Sequence, residues 1–428
     1  MKNAWDRMPQ KKIVYFSPYF WPESIGSAPY CTDVARYLAE HNHDVRVVAF
    51  RPHYPREDEF VEWSGGSRDK EEYAGMQIHR IPARGRGAGG FIDRLRNDLN
   101  YCFGAARFAF SGEAKGADAV VAYVPSCLSV FAAKLVSIRT GAKLVCVVHD
   151  IESGLARSLG IAVGGSKIKI MQLVERLAFN RADEVIVLTK GMLTELEELG
   201  CRRPISVLPI WASLPKGKPI GADHRPSVLY SGNFGKKQAL NQLLPLIKLL
   251  DERRPDVKVT LRGAGSELEN VKAEVAAMKV SNTEFLPLVP AEQLIDTLQE
   301  ATVHLVPQAL GVANYALPSK LFTIMSVGRP FVCISEPGSP PDVLAQESRA
   351  GLCVHPDDDE KLFATVDALI SDLRYVNELG ENGRQYVATN MDRDKILQTY
   401  ESLMLSDPAA AQDGQPAKDR AIASSSNS

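Results

Sequence analysis

The residues of this sequence best suited to chemistry lie in the run Leu317-Pro318-Ser319-Lys320-Leu321-Phe322-Thr323-Ile324-Met325-Ser326-Val327-Gly328-Arg329-Pro330. Pro318 and Ser319 are residue types that open helices, which puts Lys320 in a first turn. Free backbone N–H groups and the helix dipole favour an anion at such an end. An ammonium there adds a point charge suited to a phosphate. An ordinary capped helix with a solvated lysine reads the same way. Two glycine turns in the same half of the chain bear on the choice. Ser231-Gly232-Asn233-Phe234-Gly235-Lys236-Lys237-Gln238 follows the apolar run Val228–Tyr230, and Arg262-Gly263-Ala264-Gly265-Ser266 follows Val257–Leu261. Glycine lets a backbone approach a phosphate closely, and ligands of open α/β sheets sit beyond the carboxyl ends of strands. Turns between strand and helix also use glycine for their own geometry, so the convergence of three segments carries more than any one. Leu268 stands where a Gly-x-Gly-x-x-Gly turn would have its third glycine, which argues against a dinucleotide oxidoreductase.

In the first half, Val147-Val148-His149-Asp150 closes an apolar run. A histidine at a strand's carboxyl end either faces a ligand or is satisfied in the core, and the sequence leaves both open. Asp357-Asp358-Asp359 has the look of a metal-binding carboxylate pair, but it precedes the helical run Glu360–Ile370 and reads better as helix capping. No His/Glu cluster has metal-ligand spacing, so neither a metal nor a cofactor is expected. The stretch Arg84 to Phe110 mixes Arg84, Arg86, Arg94, Arg96 and Arg107 with Phe91, Leu95, Leu99, Phe103, Phe108 and Phe110. Such a segment either binds an anionic membrane surface or packs on its own sheet with a solvated arginine face.

These residues need a scaffold. A chain of 428 residues exceeds one efficient core, so two domains are expected. Val- and Ile-rich runs alternate with helical-period segments: Ile13–Ser17, Val45–Phe50, Ala119–Val124, Leu144–Val148, Val185–Leu188, Val228–Ser231, Val257–Leu261, Val303–Val306 and Phe331–Ile334. They lack strict alternation, as strands buried on both faces do, and predict parallel sheets covered by helices. The Pro-, Gly- and Lys-rich stretch from Ile210 to Arg225 reads as an interdomain linker. From Ser406 onward the composition predicts a disordered tail. The net charge of −2 gives no bulk signal for nucleic acid, and none is expected as a partner. Seven scattered cysteines without a Cys-x-x-Cys pair suit a reducing cytoplasm, and the polar start, Met1 to Lys12, reads as no signal peptide. The best candidate for a membrane span, Ala119 to Ile138, contains Pro125 and Lys134 and reads better as strand, turn and helix.

On further motifs the chain resembles glycosyltransferase family 4, retaining enzymes of the GT-B fold, from about Lys12 to about Leu403. Tyr19-Phe20-Trp21-Pro22-Glu23-Ser24-Ile25-Gly26-Ser27, Leu38-Ala39 and His43-Asp44-Val45 look like the family's first strand, glycine loop and helix. Glu175-Arg176 and Arg181-Ala182-Asp183-Glu184-Val185-Ile186-Val187 look like its strand before the linker. Pro318-Ser319-Lys320 and Ser231-Gly232-Asn233 are similar to the branch of colanic-acid-type exopolysaccharide and O-antigen transferases. The chain also departs from the family. Two glutamates separated by seven residues are usual, and Tyr315 and Thr323 hold those positions. Asn233 replaces the usual Arg after the first glycine loop, and the usual Lys falls at Lys237 or Gln238.

The resemblance implies two Rossmann-like α/β domains with parallel sheets facing across a cleft. Residues 1–210, with a crossing helix at 391–405, would form the acceptor side; residues 211–390 would hold the donor, and 406–428 would be tail. It implies transfer of a sugar, with retention, from a nucleotide-diphosphate sugar to a saccharide or lipid-linked saccharide. The donor would be bound by Gly26, Gly232, Asn233, Lys237, Gly263, Gly265, Ser319, Lys320 and Thr323. Lys320 would also take up the leaving group's charge, and His149 would contact the sugar. The setting implied is the cytoplasm, with the inner face of the membrane as a peripheral surface. A sugar-nucleotide epimerase of the same architecture and a non-catalytic sugar-nucleotide-binding subunit remain the alternatives.

Overall fold

The apolar runs become strands of two separate sheets in the computed structural model, which describes residues 9–23, 26–53, 57–83, 91–124, 126–160, 165–212, 214–312, 315 and 317–406. The first sheet contains β1 (Lys12–Phe16), β2 (Asp44–Phe50), β3 (Lys70–Tyr73), β4 (Met76–Ile81), β5 (Ala119–Val124), β6 (Lys143–Val148), β7 (Glu184–Val187) and β8 (Ile205–Val207), in the order β3-β4-β2-β1-β5-β6-β7-β8. The second contains β9 (Ser227–Asn233), β10 (Lys258–Ala264), β11 (Thr283–Leu286), β12 (Val303–Pro307), β13 (Phe331–Ile334) and β14 (Gly351–Val354), in the order β11-β10-β9-β12-β13-β14. Every residue of β5 and β6 is buried, which is why those runs are apolar without alternation.

All pairings are parallel except β3 with β4. The apolar-run reading missed β3, β4, β8, β11 and β14 for physical reasons. β3 is Lys-Glu-Glu-Tyr at a sheet edge and has little to bury, while β8 is three residues long. The stretch Ala119 to Ile138 holds β5 and most of the helix Leu128–Thr140, in keeping with the strand and helix read from its sequence. Among the described residues, no helix is long and apolar enough to cross a membrane.

The chain divides into two compact units: Met1–Ser153, Ala162–Pro209 and Asp394–Ser428 in the first, Gly154–Ile161 and Ile210–Arg393 in the second. The last helix, Arg393–Leu405, packs in the first unit through two buried polar ties. His43 Nε2 lies 2.8 Å from Glu401 Oε1, and Lys143 Nζ donates to the Leu403 carbonyl at 2.7 Å and to Glu184 Oε2 at 2.9 Å. Composition gave no sign that residues 154–160 leave the first unit. They pack in the second, where Ser158 Oγ donates to the Gly311 carbonyl at 2.7 Å. The tail expected to be disordered lies, from 407 on, outside the described residues.

Candidate functional site

In the second sheet β9 and β12 are neighbours although β10 and β11 separate them in sequence, so the connections diverge there. Such a switch point leaves a crevice beyond the strand ends. The segments singled out from sequence meet at it. β9 ends in Ser231-Gly232-Asn233, and the chain beyond β12 leads to Lys320, the first residue of the helix Lys320–Ser326.

Lys320 is not a solvated surface charge. Its Nζ lies 4.0 Å from the centre of the Tyr230 ring, a cation–π contact. A Cβ added at Gly232 would fall 2.5 Å from the same nitrogen, so the missing side chain makes room for the ammonium. Strand alternation explains the arrangement. Tyr230 and Gly232 are two residues apart and share one face of β9, ring beside gap. The Tyr230 hydroxyl donates to the Asn233 carbonyl at 2.5 Å and ties the ring to the turn. Burial pushes the Lys320 ammonium down to about 7. His304 on β12, whose Nε2 is 2.9 Å from the Leu298 carbonyl, is pushed to about 4, chiefly by burial and further by Arg329 and Lys320. A phosphate beside Lys320 would restore its charge and relieve its desolvation.

Ser319 precedes the helix but has αR dihedrals and makes no side-chain bond to a helix amide, so it does not cap as its type suggested. Thr323 lies one turn further along and is partly exposed, on the face it shares with Ser319 and Lys320. Asn233 is exposed at the end of β9. Lys237 sits in the short turn Lys236–Gln238, and its carbonyl accepts from Ala309 N–H at 3.0 Å, joining the two strand-end segments.

Gly263 and Gly265 behave differently from expectation. Gly263 is registered beside Gly232 across β9 and β10. A Cβ at Gly263 would collide with the Gly232 carbonyl oxygen and the Phe234 ring, and one at Gly265 with the Phe234 carbonyl. The close approach that demands glycine is therefore between the two turns. These residues support the Gly232 turn, and packing accounts for their identity without a phosphate.

Tyr315, at the first missing glutamate, is buried. Its hydroxyl accepts from the Arg157 guanidinium, and its ring covers Gly154, where any Cβ would clash. The position is engaged in packing within the second unit.

In the first unit the corresponding switch point lies between β1 and β5. Gly26 follows β1 with φ +69° and has nothing within 4 Å of its Cβ position, so conformation rather than crowding calls for glycine. His149 follows β6, and its Nε2 shares a hydrogen bond with the Tyr123 hydroxyl of β5. Tyr30 of the helix Ala28–Glu40 approaches to 6.0 Å between ring centres. Burial lowers the imidazole to about 4 against the opposing pull of Asp150, so it is neutral at physiological pH. His149 is satisfied by Tyr123 and stands at a strand's carboxyl end. Tyr123 and Tyr230 were missed from sequence. The signal for each was a tyrosine inside an otherwise aliphatic buried strand, one strand or two residues from a singled-out position.

Asp358 accepts from Lys361 N–H at 3.1 Å and caps the helix Asp359–Ser371. Among the described residues, no three His, Cys, Asp or Glu side chains group to hold a metal. Of the basic–aromatic stretch, residues 84–90 lie outside the described residues, the helix Phe91–Ala109 carries most of the rest, and Phe110 follows it.

Comparison with known proteins agrees with this architecture. The Glycosyl transferase 4-like domain matches residues 26–211, and Glycosyl transferases group 1 matches residues 217–386. The putative colanic acid biosynthesis glycosyl transferase WcaI of Escherichia coli (strain K12) is 24% identical over 422 residues, 91% of this chain and 98% of that one. Sucrose-phosphate synthase from Thermosynechococcus elongatus superposes with a TM-score of 0.73 at 16% identity, covering 92% of this chain and 98% of the other. Anabaena HepE, solved in complex with UDP-glucose, superposes with a TM-score of 0.64 at 14% identity, covering 92% and 99%.

Proposed function

Because the chain belongs to the GT-B glycosyltransferases, with a glycosyl transferase 4-like first domain and a group 1 second domain, we propose that it transfers a sugar from a nucleotide-diphosphate donor to a saccharide acceptor in cell-surface or exopolysaccharide biosynthesis. The observation that carries this reading is the half-buried Lys320 ammonium, held between the Tyr230 ring and the Gly232 gap at the second sheet's switch point. A nucleoside diphosphate leaves with growing negative charge, and a preorganised cation in a poorly solvated place stabilises it best. WcaI, named for colanic acid biosynthesis, and HepE, crystallised with UDP-glucose, support the substrate class.

In this reading the donor phosphates lie against Lys320, the Gly232–Asn233 turn and Lys237, with Ser319 beside them. Gly263 and Gly265 hold that turn in place, and Thr323 takes the ribose position with a neutral hydroxyl. Gly26 and His149 serve the sugar from the first domain. Transfer proceeds with retention and without a metal ion. The acceptor is lipid-linked, and the protein works peripherally at the cytoplasmic face of a membrane.

The test is a thermal-shift screen against UDP-, GDP-, ADP- and dTDP-sugars, followed by turnover after exhaustive EDTA treatment. A ligand at about 100 times its dissociation constant adds about 2.7 kcal/mol of apparent stability. Nucleoside diphosphate should be released only when acceptor is present, and the product should keep the donor's anomeric configuration by NMR. Epimerised sugar nucleotide without acceptor, or full loss of turnover in EDTA restored by manganese, would overturn the corresponding part.

A further inference from the structure

Seven cysteines are scattered through the sequence, yet the fold sets two of them side by side. Cys333 of β13 is registered with Cys353 of β14, in the second unit. Registered residues of neighbouring strands lie about 4.8 Å apart and point to the same face of the sheet. A disulfide spans about 4.4–6.8 Å between Cα atoms, so this spacing admits one. Among the described residues no other two cysteines share a register. Both are free thiols. Cys333 Sγ lies 3.4 Å from the Leu352 carbonyl oxygen and 3.7 Å from that of Pro341, and Cys353 Sγ lies 3.6 Å from that of Ser335.

The two differ in access. Cys333 is buried, whereas Cys353 is half-buried on the edge strand and lines a cavity of about 340 Å³. The cavity lies among β14, the helix Pro340–Ser348 and the helix Leu373–Asn390, with Asp342, Arg349, Tyr375, Glu378 and Asn382 on its walls. The Cys333 thiol donates to Cys353, which holds Cys353 below the usual thiol range against burial and Asp342. The same donation and burial raise Cys333. Burial raises the other five, Cys31 to about 12. Cysteines that only pack are raised by apolar surroundings and inert. Cys353 departs from that pattern on the side that a small molecule can enter, with a second sulfur directly behind it.

We infer that Cys333 and Cys353 form a redox-active dithiol, which a hydroperoxide entering the cavity converts to a reversible disulfide between β13 and β14. The Cys353 thiolate attacks one peroxide oxygen and the O–O bond breaks. With hydrogen peroxide the departing hydroxide takes up the proton that Cys353 had released and leaves as water, and the Cys353 sulfur is oxidised to a sulfenic acid. The Cys333 sulfur then attacks the Cys353 sulfur. The S–S bond forms, the S–O bond breaks, and the oxygen leaves as a second water with the Cys333 proton. Two thiols and one peroxide thus give one disulfide and two waters. A dithiol reductant returns the two electrons by exchange at the bridge. The bridge fastens the edge strand to β13, which runs on to Glu336, whose Oε2 accepts from the Gly311 N–H at 2.7 Å. The inference needs nothing from the donor site.

Intact mass spectrometry of the reduced full chain, before and after a small excess of hydrogen peroxide, tests it. The wild type should lose about 2 Da, and dithiothreitol should restore the mass. Proteolysis without reduction should then link the peptide of Cys333 to the peptide of Cys353 within one chain. Cys333→Ala should stop at the sulfenic acid, gaining about 16 Da on Cys353 in a form that dimedone traps. Cys353→Ala should leave Cys333 unoxidised, with thiol loss slowed about tenfold or more. Should either variant fail to fold, the linkage map of the wild type still decides. A bridge between any other two cysteines would overturn the inference, as would a wild type that only gains oxygen, forms links only between chains, or keeps both thiols. So would a folded Cys353→Ala whose Cys333 is oxidised as fast as in the wild type. None of these readouts involves a nucleotide, so their failure and the failure of the donor reading are told apart.

Discussion

The Lys320 ammonium stands 4.0 Å from the centre of the Tyr230 ring, in space that any side chain at Gly232 would fill. The ring face offers partial compensation for lost water, but among the described residues no carboxylate pairs with the charge, and burial is what lowers its proton affinity. A protein that only needed to fold would place an apolar side chain there. On the proposed donor site, this is a desolvated cation whose burial a phosphate would offset.

Lys320→Met should therefore stabilise the unliganded protein while weakening its affinity for nucleoside diphosphate. A similar-sized apolar side chain removes a desolvation penalty of roughly 1–3 kcal/mol, after allowing for partial solvation and the ring contact. The binding loss should be ten- to a hundredfold, from a charge-assisted hydrogen bond of about 1.5–3 kcal/mol. Urea melts and calorimetry read the two effects. A destabilised variant that still binds would mean that Lys320 is structural.

The pH dependence has a definite sign. Lys320 is pushed to about 7 in the folded chain, against about 10.4 when unfolded. Between those values the unfolded state holds more protons, so stability without ligand should rise with pH across this window, and the rise should be shallower in Lys320→Met. Nucleoside diphosphate affinity should move the other way, falling by up to about tenfold per pH unit above 7 because binding must return the proton. Tyr230 packs against the same nitrogen and His304 feels its charge, but burial holds Tyr230 protonated and His304 neutral through this range. Calorimetry at pH 8 in buffers of different ionisation enthalpy should show proton uptake. A binding constant flat from pH 7 to 9 would contradict the assignment.

Much of this was legible in the sequence, for identifiable reasons. Buried parallel strands such as β5 and β6 must be apolar on both faces, so they stand out as unbroken Val and Ile runs. The turns after β9 and β12 stand out because glycine and Pro-Ser-Lys are restrictive choices. Edge strands such as Lys70–Tyr73 carry no such constraint. The partners of Lys320 and His149 were hidden because Tyr230 and Tyr123 reach them through sheet geometry. The passage of residues 154–160 into the second unit left no mark in composition, since it depends on Gly154 lying under a tyrosine 161 residues later in sequence.

Glycine substitutions should separate support from contact. Gly263→Ala drives a methyl group into the Gly232 carbonyl and the Phe234 ring, and should cost about 3 kcal/mol or more together with donor binding. Gly26→Ala meets no atom within 4 Å and bears only the strain of φ +69°, about 1 kcal/mol. Its melt should be near wild type, and any loss of transfer would then report contact with substrate. Equal destabilisation by the two changes would refute the distinction.

Thr323→Glu restores the family's usual carboxylate at a partly exposed position on the Lys320–Ser326 helix. It should preserve the cooperative melt and leave nucleotide-sugar affinity unchanged or higher, since a carboxylate accepts two ribose hydroxyls where threonine offers one oxygen. Loss of the cooperative melt would show that the side chain points inward and that the correspondence with the ribose position is wrong.

His149 should act by hydrogen bonding and not by charge. Burial drives it to about 4, so it stays neutral from pH 6 to 8 and its titration should leave no limb on the rate profile there. Tyr123 fixes its Nε2, which leaves Nδ1 as the ring nitrogen free to meet a sugar hydroxyl. His149→Ala should then slow transfer by about two- to tenfold, as expected for a lost neutral hydrogen bond of about 0.5–1.5 kcal/mol in the transition state, while nucleoside diphosphate affinity changes less than about twofold. Tyr123→Phe should produce a smaller loss of the same kind, because it loosens the ring without removing it. Lys320→Ala should do the reverse in binding, losing nucleoside diphosphate affinity ten- to a hundredfold, as well as slowing transfer. Calorimetry with the nucleoside diphosphate beside initial rates resolves all three variants. If His149→Ala loses nucleotide binding as severely as Lys320→Ala, the histidine belongs to the phosphate site and the division of labour fails.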